Sequence, residues 1–347
     1  MPMRSKLVLL TFDYELFLGK RSGTVRDCLI EPTSKILHLL NQYELKGVFF
    51  IDTIYLCRLK EISAEYQPAG HDYHAISEQL REIVKHGHYI FPHIHGHWLD
   101  GEYLPDKNEW TLQNNRFYHF ASLPVDHQVK LFDDSIDILC SIIGNGCPGF
   151  RLDTYRAGGW SIQPFKFFDT NFKRHGILND FSVIPGKCLF SDAQGFDFRK
   201  APEDKPVYRF KDDVCLEDEN GPYIEWTIST LPMTTRQKWI DFKIGGMLQR
   251  LHINQGDNKG STVSSKIRGE GDAFDGGNTT RYIASFEGLN QYRIWRYLKL
   301  IRNSNYFHFI SHPKLLNDFE LKMIENLFRR LKKIRRIETD FRKAEMV

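Results

Sequence analysis

Short apolar runs alternate with longer amphipathic segments, and this order restricts the fold of the chain more than any other feature. Lys6–Phe12, Gly47–Ile51 and Tyr89–Phe91 are apolar runs that predict buried strands. Val125–Ile143 carries an apolar stripe typical of a long helix, and Tyr306–Ile310 predicts the last strand. Because repeated strand–helix order builds a parallel sheet covered by helices, the sequence predicts an α/β fold.

Polar side chains follow these strands directly. Asp13 and Glu15 come after the first predicted strand, Asp52 after the second, and His93–His97 after the third. Parallel barrels carry their chemistry on the loops at the carboxyl ends of the strands, and a doubly wound open sheet would place these groups similarly. We favour a distorted (β/α) barrel, because functional groups follow several strands, including one near the C-terminus.

The chain divides into a main domain and a C-terminal segment. Residues 1–314 are predicted to form the barrel, with a β-hairpin inserted near 205–230 and a long mobile loop over 254–281, where Gly, Ser, Asn and Asp dominate. Residues 315–347 are predicted to form an amphipathic helix packed on the barrel, its basic residues on a solvated face.

Composition excludes several classes of protein. A hydrophobic content of 41% predicts a sizeable core, and a net charge of only +3 argues against a nucleic-acid binder. No apolar stretch approaches the length of a membrane span or a signal-peptide core. The six cysteines are scattered, without a Cys-x-x-Cys pair. These observations predict a cytoplasmic protein with reduced thiols and no transmembrane segment.

Three alternating histidines, His93, His95 and His97, point to a metal site. On a helical turn, His93 and His97 would share one side, whereas in an extended strand His93 and His95 would share one face. A catalytic zinc-type site needs three protein ligands and an open position, which two histidines and one carboxylate would satisfy. The alternative is a set of loop histidines bonded to backbone and water.

Three further groups are candidates for the same site. Asp13 and Glu15 are two positions apart, so an extended chain would place both carboxylates on the same side. The alternative is that one carboxylate caps a turn and the other is exposed to solvent. Arg156 begins the segment Arg-Ala-Gly-Gly-Trp160. If its side chain is buried, it needs a carboxylate partner; the alternative is an ion pair at the protein surface. His312 precedes Pro313 at the end of the last strand, where it could act as a general acid or base or be a plain surface histidine.

The ordered set of motifs around Asp13, Glu15, His93, His97 and Arg156, continued by Asp180 in Asn-Asp-Phe-Ser182 and by His312-Pro313, resembles the NodB-homology polysaccharide deacetylases, carbohydrate esterase family 4. The resemblance spans roughly residues 6–313. It implies a distorted (β/α) barrel of the NodB-like type, with a divalent metal at the strand ends: zinc, or alternatively cobalt or nickel. The Asp-Tyr-Glu spacing and the Ala-Gly-Gly-Trp segment depart from the common family pattern and indicate a divergent branch. The absence of an export signal predicts that this branch is intracellular.

The resemblance also implies a role for each matching residue. Asp13 is expected to be the general base and Arg156 the cation that orients it. Glu15, His93 and His97 are expected to bind the metal, with His95 as a supporting residue. His312 is expected to protonate the leaving group.

The expected reaction is removal of an acetyl group from an N- or O-acetylated sugar or polysaccharide intermediate. Trp98, Trp160 and Asp180 are the predicted substrate contacts, although both tryptophans also fit as ordinary core or loop aromatics. Two alternatives stay open: an amidohydrolase acting on a small non-sugar amide, and a glycan-binding barrel without catalytic turnover.

Overall fold

The computed structural model describes residues 5–113, 116–144, 149–191, 195–251 and 273–344. The strands are β1 (Lys6–Tyr14), β2 (Val48–Asp52), β3 (Tyr89–Ile94), β4 (Glu102–Leu104), β5 (Glu109–Thr111), β6 (Thr154–Ala157), β7 (Asn179–Asp180), β8 (Cys188–Phe190), β9 (Gly195–Asp197), β10 (Val207–Phe210), β11 (Tyr223–Trp226), β12 (Thr230–Met233), β13 (Ala273–Gly276), β14 (Thr279–Ile283), β15 (Tyr306–Ser311) and β16 (Ile337–Glu338). The helices are α1 (Glu31–Gln42), α2 (Thr53–Ile62), α3 (Gln67–Lys85), α4 (Val125–Ile143), α5 (Lys166–His175), α6 (Thr235–Leu251), α7 (Gln291–Asn303) and α8 (Asp318–Leu331).

The main sheet has the strand order β10-β11-β7-β6-β3-β2-β1-β15, and β16 pairs with the start of β1. The pairings are parallel throughout this sheet except between β10 and β11. The parallel strands therefore end at one common edge. The mixed α/β architecture agrees with the fold class predicted from the strand–helix order.

The sheet curls into a distorted half-barrel. Its two edge strands, β10 and β15, do not pair with each other. Isolated backbone bonds cross the gap instead: the amide of Ile228 donates to the carbonyl of Val183 at 2.8 Å, and the amide of Ser229 donates to the carbonyl of His308 at 3.2 Å. The open side is thus spanned by the chain between β11 and β12 rather than by a continuous ladder.

Alternation along β1 separates two apolar cores. Leu7 and Leu9 belong to a cluster inside the curled sheet with Phe50. Leu10 and Phe12 face the opposite way, into the larger core between the sheet and its helices. Because side chains two apart in a strand share a face, the next residues on the interior side are Thr11, Asp13 and Glu15. The interior core therefore ends in polar groups at the carboxyl edge of the sheet.

Three features of the fold differ in detail from the sequence predictions. The 205–230 segment forms a hairpin, but β11 also pairs in parallel with β7, so the hairpin extends the main sheet. Residues 254–272 of the predicted 254–281 loop lie outside the described residues, whereas 273–281 fall in strands β13 and β14. These two strands pair with each other, and β14 also pairs with β12. The last helix ends at Leu331, and the chain returns to the sheet as β16. β11, β14 and β16 each pair with a strand that is distant in the sequence, which local periodicity does not reveal.

Candidate active site

Glu15, His93 and His95 form the one potential metal-binding cluster of His, Cys, Asp and Glu donors found among the described residues. Their ligand atoms lie within 4.8 Å of one another. The Glu15 Oε2 atom is 2.6 Å from His95 Nε2 and 3.4 Å from His93 Nε2, and the two histidine Nε2 atoms are 3.0 Å apart. All three side chains are buried.

This donor set fits a divalent cation. His93 Nδ1 lies 2.9 Å from the backbone carbonyl of Arg156, to which it donates, so His93 Nε2 presents its lone pair to the cluster. The buried Glu15 Oε2 atom makes no hydrogen bond of acceptable geometry despite its short contact with His95. One carboxylate and two imidazoles also match the ligand types and the count of a catalytic zinc-type site.

The extended backbone selects His95 rather than His97 for this cluster. β3 continues to Ile94, and His95 has φ −111° and ψ 98°, so His93 and His95 share a face. The helical turn begins only at Gly96. His97, the ligand expected from the family resemblance, is therefore not a member of the cluster.

His97 lies beside the cluster, with its ring centroid 5.0 Å from that of His95. It is 2% exposed, and neither ring nitrogen has a hydrogen-bond partner. Its ring stacks on Tyr118 with centroids 5.1 Å apart and lies 5.7 Å from the Trp98 ring. Burial, together with nearby His95, holds the pKa of His97 well below its ordinary value. His97 is thus a neutral, stacked imidazole.

Asp13 and Arg156 form a buried ion pair beside the cluster. Arg156 is fully buried, and its Nη1 donates to Asp13 Oδ1 at 2.5 Å. Its remaining donors bind the Phe181 carbonyl, Thr11 Oγ1 and His308 Nε2 at 2.8 to 3.0 Å. Burial raises the pKa of Asp13, but Arg156 and the neighbouring histidines outweigh it and hold this pKa below its ordinary value. Asp13 is therefore an ionised carboxylate whose Oδ1 is fixed by the guanidinium.

His308 supports this pair from within the curled sheet. Its Nδ1 contacts the backbone carbonyls of Trp226 and Thr227 at 3.2 and 3.1 Å, which places the ring proton there. His308 Nε2 is then the acceptor for Arg156. Burial and the guanidinium keep the pKa of His308 well below its ordinary value, so the ring is neutral. Sequence reasoning missed His308, because it lies inside an apolar strand.

His312 faces the same carboxylates from the end of β15. Its Nε2 is 3.7 Å from Asp13 Oδ2 and 3.6 Å from Glu15 Oε1. Its Nδ1 is 3.0 Å from Glu287 Oε1, which also accepts the His312 backbone amide at 2.7 Å. Burial opposes protonation, but the hydrogen bond to Glu287 and the nearby carboxylates raise the pKa of His312 to about 9. No sequence signal identified Glu287, which lies in the loop after β14.

Lys314 is a further buried cation at this edge. Its Nζ donates to Glu15 Oε1 at 2.9 Å and to the Leu16 carbonyl at 2.6 Å. Burial disfavours the Glu15 carboxylate, but Lys314 and His95 hold its pKa well below the ordinary value. The sequence offered one signal for Lys314, its position directly after the His312-Pro313 motif.

The predicted substrate contacts occupy different environments. Trp98 is fully buried; its Nε1 donates to Asp52, and its ring packs against Tyr55 with centroids 4.8 Å apart. The polar and apolar parts of the Trp98 side chain are thus engaged in the core, which favours the alternative of an ordinary core aromatic; its contact with substrate stays a prediction. Asp52 in turn caps the first turn of α2.

Asp180 is likewise internal. It is 0% exposed, accepts a hydrogen bond from Ser182 Oγ at 2.8 Å, and shares a hydrogen bond with Glu225 on the neighbouring strand. Ser182 Oγ in turn accepts the Ala157 amide, next to Arg156. Asp180 thus stabilises the junction of β6 and β7, and its contact with substrate stays a prediction.

Trp160, the third predicted substrate contact, is less buried than the other two. Its ring is partly exposed, meets Phe196 edge to face at 6.1 Å, and carries Lys187 Nζ 4.6 Å from its centroid. Phe196 lines an open groove of about 470 Å³ together with His119 and Phe190. Among the three predicted substrate contacts, Trp160 is therefore the one whose side chain is partly exposed.

The sequence matches no protein-family model and no curated protein at a significant level. Similar solved structures do exist. A candidate polysaccharide deacetylase from Mycobacterium smegmatis aligns with 98% of this chain and 88% of its own, at 13% identity and a TM-score of 0.51. The Puue allantoinase aligns over 98% of this chain and 89% of its own, at 12% identity and a TM-score of 0.47. A family 4 carbohydrate esterase from Streptomyces lividans aligns over 52% of this chain and 63% of its own, at 13% identity and a TM-score of 0.30.

The M. smegmatis protein therefore shares the overall fold of this chain, while the two lower scores support no argument about fold. None of the helices in the described parts of the chain has the length and apolar character needed to cross a lipid bilayer.

Proposed function

We propose that this protein is a metal-dependent hydrolase that removes an acetyl group from an N- or O-acetylated sugar or polysaccharide intermediate. One observation carries the proposal: an ionised carboxylate paired with a buried arginine, a Glu–His–His donor set and a carboxylate-bound histidine meet at one edge of the sheet. The shared fold with a candidate polysaccharide deacetylase supports the same reaction class.

Glu15, His93 and His95 would hold the cation. A divalent metal at this position supplies Lewis-acid chemistry, since it polarises a carbonyl group and makes water a stronger acid. His93 is oriented for this role by its Nδ1 bond to the Arg156 carbonyl. Zinc is the expected ion, with cobalt and nickel as alternatives that suit the same ligands.

Asp13 would accept the proton of the attacking water at Oδ2. Arg156 occupies Oδ1, which leaves Oδ2 directed toward His93 and His312 at 3.8 and 3.7 Å. The guanidinium keeps the carboxylate ionised and fixes its orientation.

His312 would donate a proton from Nε2 to the leaving nitrogen or oxygen. Glu287 holds the opposite ring nitrogen, so Nε2 is the atom that faces the carboxylates and the reacting groups. Trp160 is the proposed sugar contact, because its ring is partly exposed and packs against Phe196, which lines the open groove.

Acetate release from a panel of acetylated amino sugars and nucleotide sugars, with zinc-, cobalt- and nickel-loaded protein, tests this function. We expect release from at least one sugar, and Asp13→Asn should retain the metal while losing at least a hundredfold in kcat. Release only from a small non-sugar amide would support the amidohydrolase alternative. Sugar binding without acetate release under any metal would support the inactive glycan-binding alternative.

A matched pair of variants tests the donor set. His95→Gln should weaken zinc binding at least tenfold in competition with a chromophoric chelator, whereas His97→Gln should leave it within threefold. The reverse result would restore His97 as the ligand and refute the donor set proposed here.

A further inference from the structure

Lys314 is buried next to a residue of the candidate metal site. Its side chain is 4% exposed, and its Nζ lies 5.2 Å from the centroid of the Phe17 ring. A lysine is almost never fully buried unless it is paired. Here the ammonium group is held by Glu15 Oε1 and the Leu16 carbonyl, so its position is fixed by two short hydrogen bonds.

The two oxygens of Glu15 have different environments as a result. Oε1 accepts from Lys314 at 2.9 Å, whereas Oε2 lies 2.6 Å from His95 Nε2 and 3.4 Å from His93 Nε2. The carboxylate therefore directs one oxygen to the ammonium and the other to the histidines.

A carboxylate can bind a cation through one oxygen or through both. We propose that Lys314 is a positioning residue that restricts Glu15 to coordination through Oε2 alone. A fixed ammonium on Oε1 prevents that oxygen from approaching the cation, and its charge opposes a second positive charge nearby. Coordination by one carboxylate oxygen leaves room in the coordination shell for water and a substrate oxygen, as a catalytic site requires.

This inference rests on the proposed metal site, and cobalt binding tests it without any need for turnover. Apo protein is titrated with Co²⁺ in competition with a chelating indicator, and the visible absorption of the cobalt protein is recorded. Lys314→Met removes the charge and keeps the length of the side chain. We expect it to bind Co²⁺ at least tenfold more tightly, the order expected on removing a unit charge roughly 5 Å from a dication even at the dielectric constant of water.

The cobalt spectrum provides a second readout. Once Oε1 is released, Glu15 can bind through both oxygens, and a higher coordination number weakens the visible absorption of Co²⁺. Lys314→Arg retains the charge and should keep both affinity and spectrum close to wild type. Lys322→Met, on the exposed face of α8, removes the same charge from the surface and should change the affinity less than threefold.

The outcomes separate the possibilities. Lys314→Gln gives a second neutral variant if the methionine variant does not fold, and it should also bind more tightly. Neutral variants that bind Co²⁺ as wild type does, or more weakly, would overturn the inference and leave a purely structural lysine. Cobalt binding that depends on Glu15 and His95, without acetate release from any substrate, would refute the proposed function and leave the role of Lys314 standing. Wild-type protein that binds no Co²⁺ would overturn both.

Discussion

Replacement of Arg156 by methionine should be strongly destabilising, because the variant leaves a buried carboxylate without its cation. Arg156 is 0% exposed and Asp13 is 3% exposed. The guanidinium also binds Thr11 Oγ1, the Phe181 carbonyl and His308 Nε2. Removal of one partner of a buried ion pair costs about 3–5 kcal/mol, so we expect Arg156→Met to lower the free energy of unfolding by about that amount at pH 7.

The pH dependence of this loss identifies its cause. In the wild type, the pKa of Asp13 is below its ordinary value. The ion pair therefore stabilises the folded protein at any pH above that ordinary value, and this stabilisation is lost as the pH falls through the lowered pKa. In the variant, burial acts without Arg156 and raises the pKa of Asp13 above the unfolded value. The variant then gains stability on acidification as Asp13 takes up a proton. The difference between the two proteins should therefore shrink as the pH falls from 7 toward 4.

The assay is urea denaturation of chelator-treated protein, followed by both tryptophan fluorescence and circular dichroism to check that unfolding is two-state. Arg329→Met, on the exposed face of α8, is the matched control and should cost less than about 0.5 kcal/mol. The double variant Asp13→Asn/Arg156→Met should lose less than the sum of its single variants. A loss below about 1 kcal/mol, or a loss that does not change with pH, would refute the reasoning about a buried charge.

Three further predictions concern single residues. His97→Phe should raise the free energy of unfolding by about 1–2 kcal/mol in thermal or urea unfolding, because it keeps the ring stacking and removes two buried, unpartnered nitrogens; a less stable variant would show that these nitrogens have partners in solution. Burial lowers the pKa of His88 to about 4. Neutral His88 therefore stabilises the folded protein at a pH above 6.5, its pKa in the unfolded chain, and this stabilisation is lost as the pH falls toward 4. The pH profile of unfolding for His88→Gln should be flatter than that of wild type in this window by a few kcal/mol, and an identical slope would contradict the prediction. Gly158→Ala should weaken zinc binding at least tenfold, since the added Cβ would lie 2.3 Å from the Ile94 carbonyl oxygen and 2.9 Å from His95 Nδ1; unchanged affinity in chelator competition would show that the strand and the imidazole can move apart without cost.

Local sequence patterns predicted the elements that carry the site. β1, β3 and β15 are runs of apolar residues long enough to be recognised alone, and the polar residues that follow them lie at one edge of the sheet. The spacing of Asp13 and Glu15 also predicted that both would lie on one side of an extended chain, and their contacts with His93 and His312 confirm it.

Backbone conformation decided which histidines come together. The interval between His93 and His97 suits a helical turn, and that between His93 and His95 suits a strand. The sequence alone allowed both. Pairing of β3 with β6, in which His93 aligns with Arg156, keeps the chain extended through this segment. That pairing joins residues 63 positions apart in the sequence, so no local pattern could reveal it.

The sequence by itself determined that this chain forms an α/β sheet whose strand ends carry carboxylates, imidazoles and an arginine, because strand and helix periodicities are local properties. Only the tertiary structure decided how those groups are paired. Arg156 meets Asp13, Lys314 meets Glu15, and Glu287 meets His312 across large sequence separations. Each pairing follows from burial at the edge of the curled sheet, where a charged group is stable only beside an opposite charge or a hydrogen-bond partner.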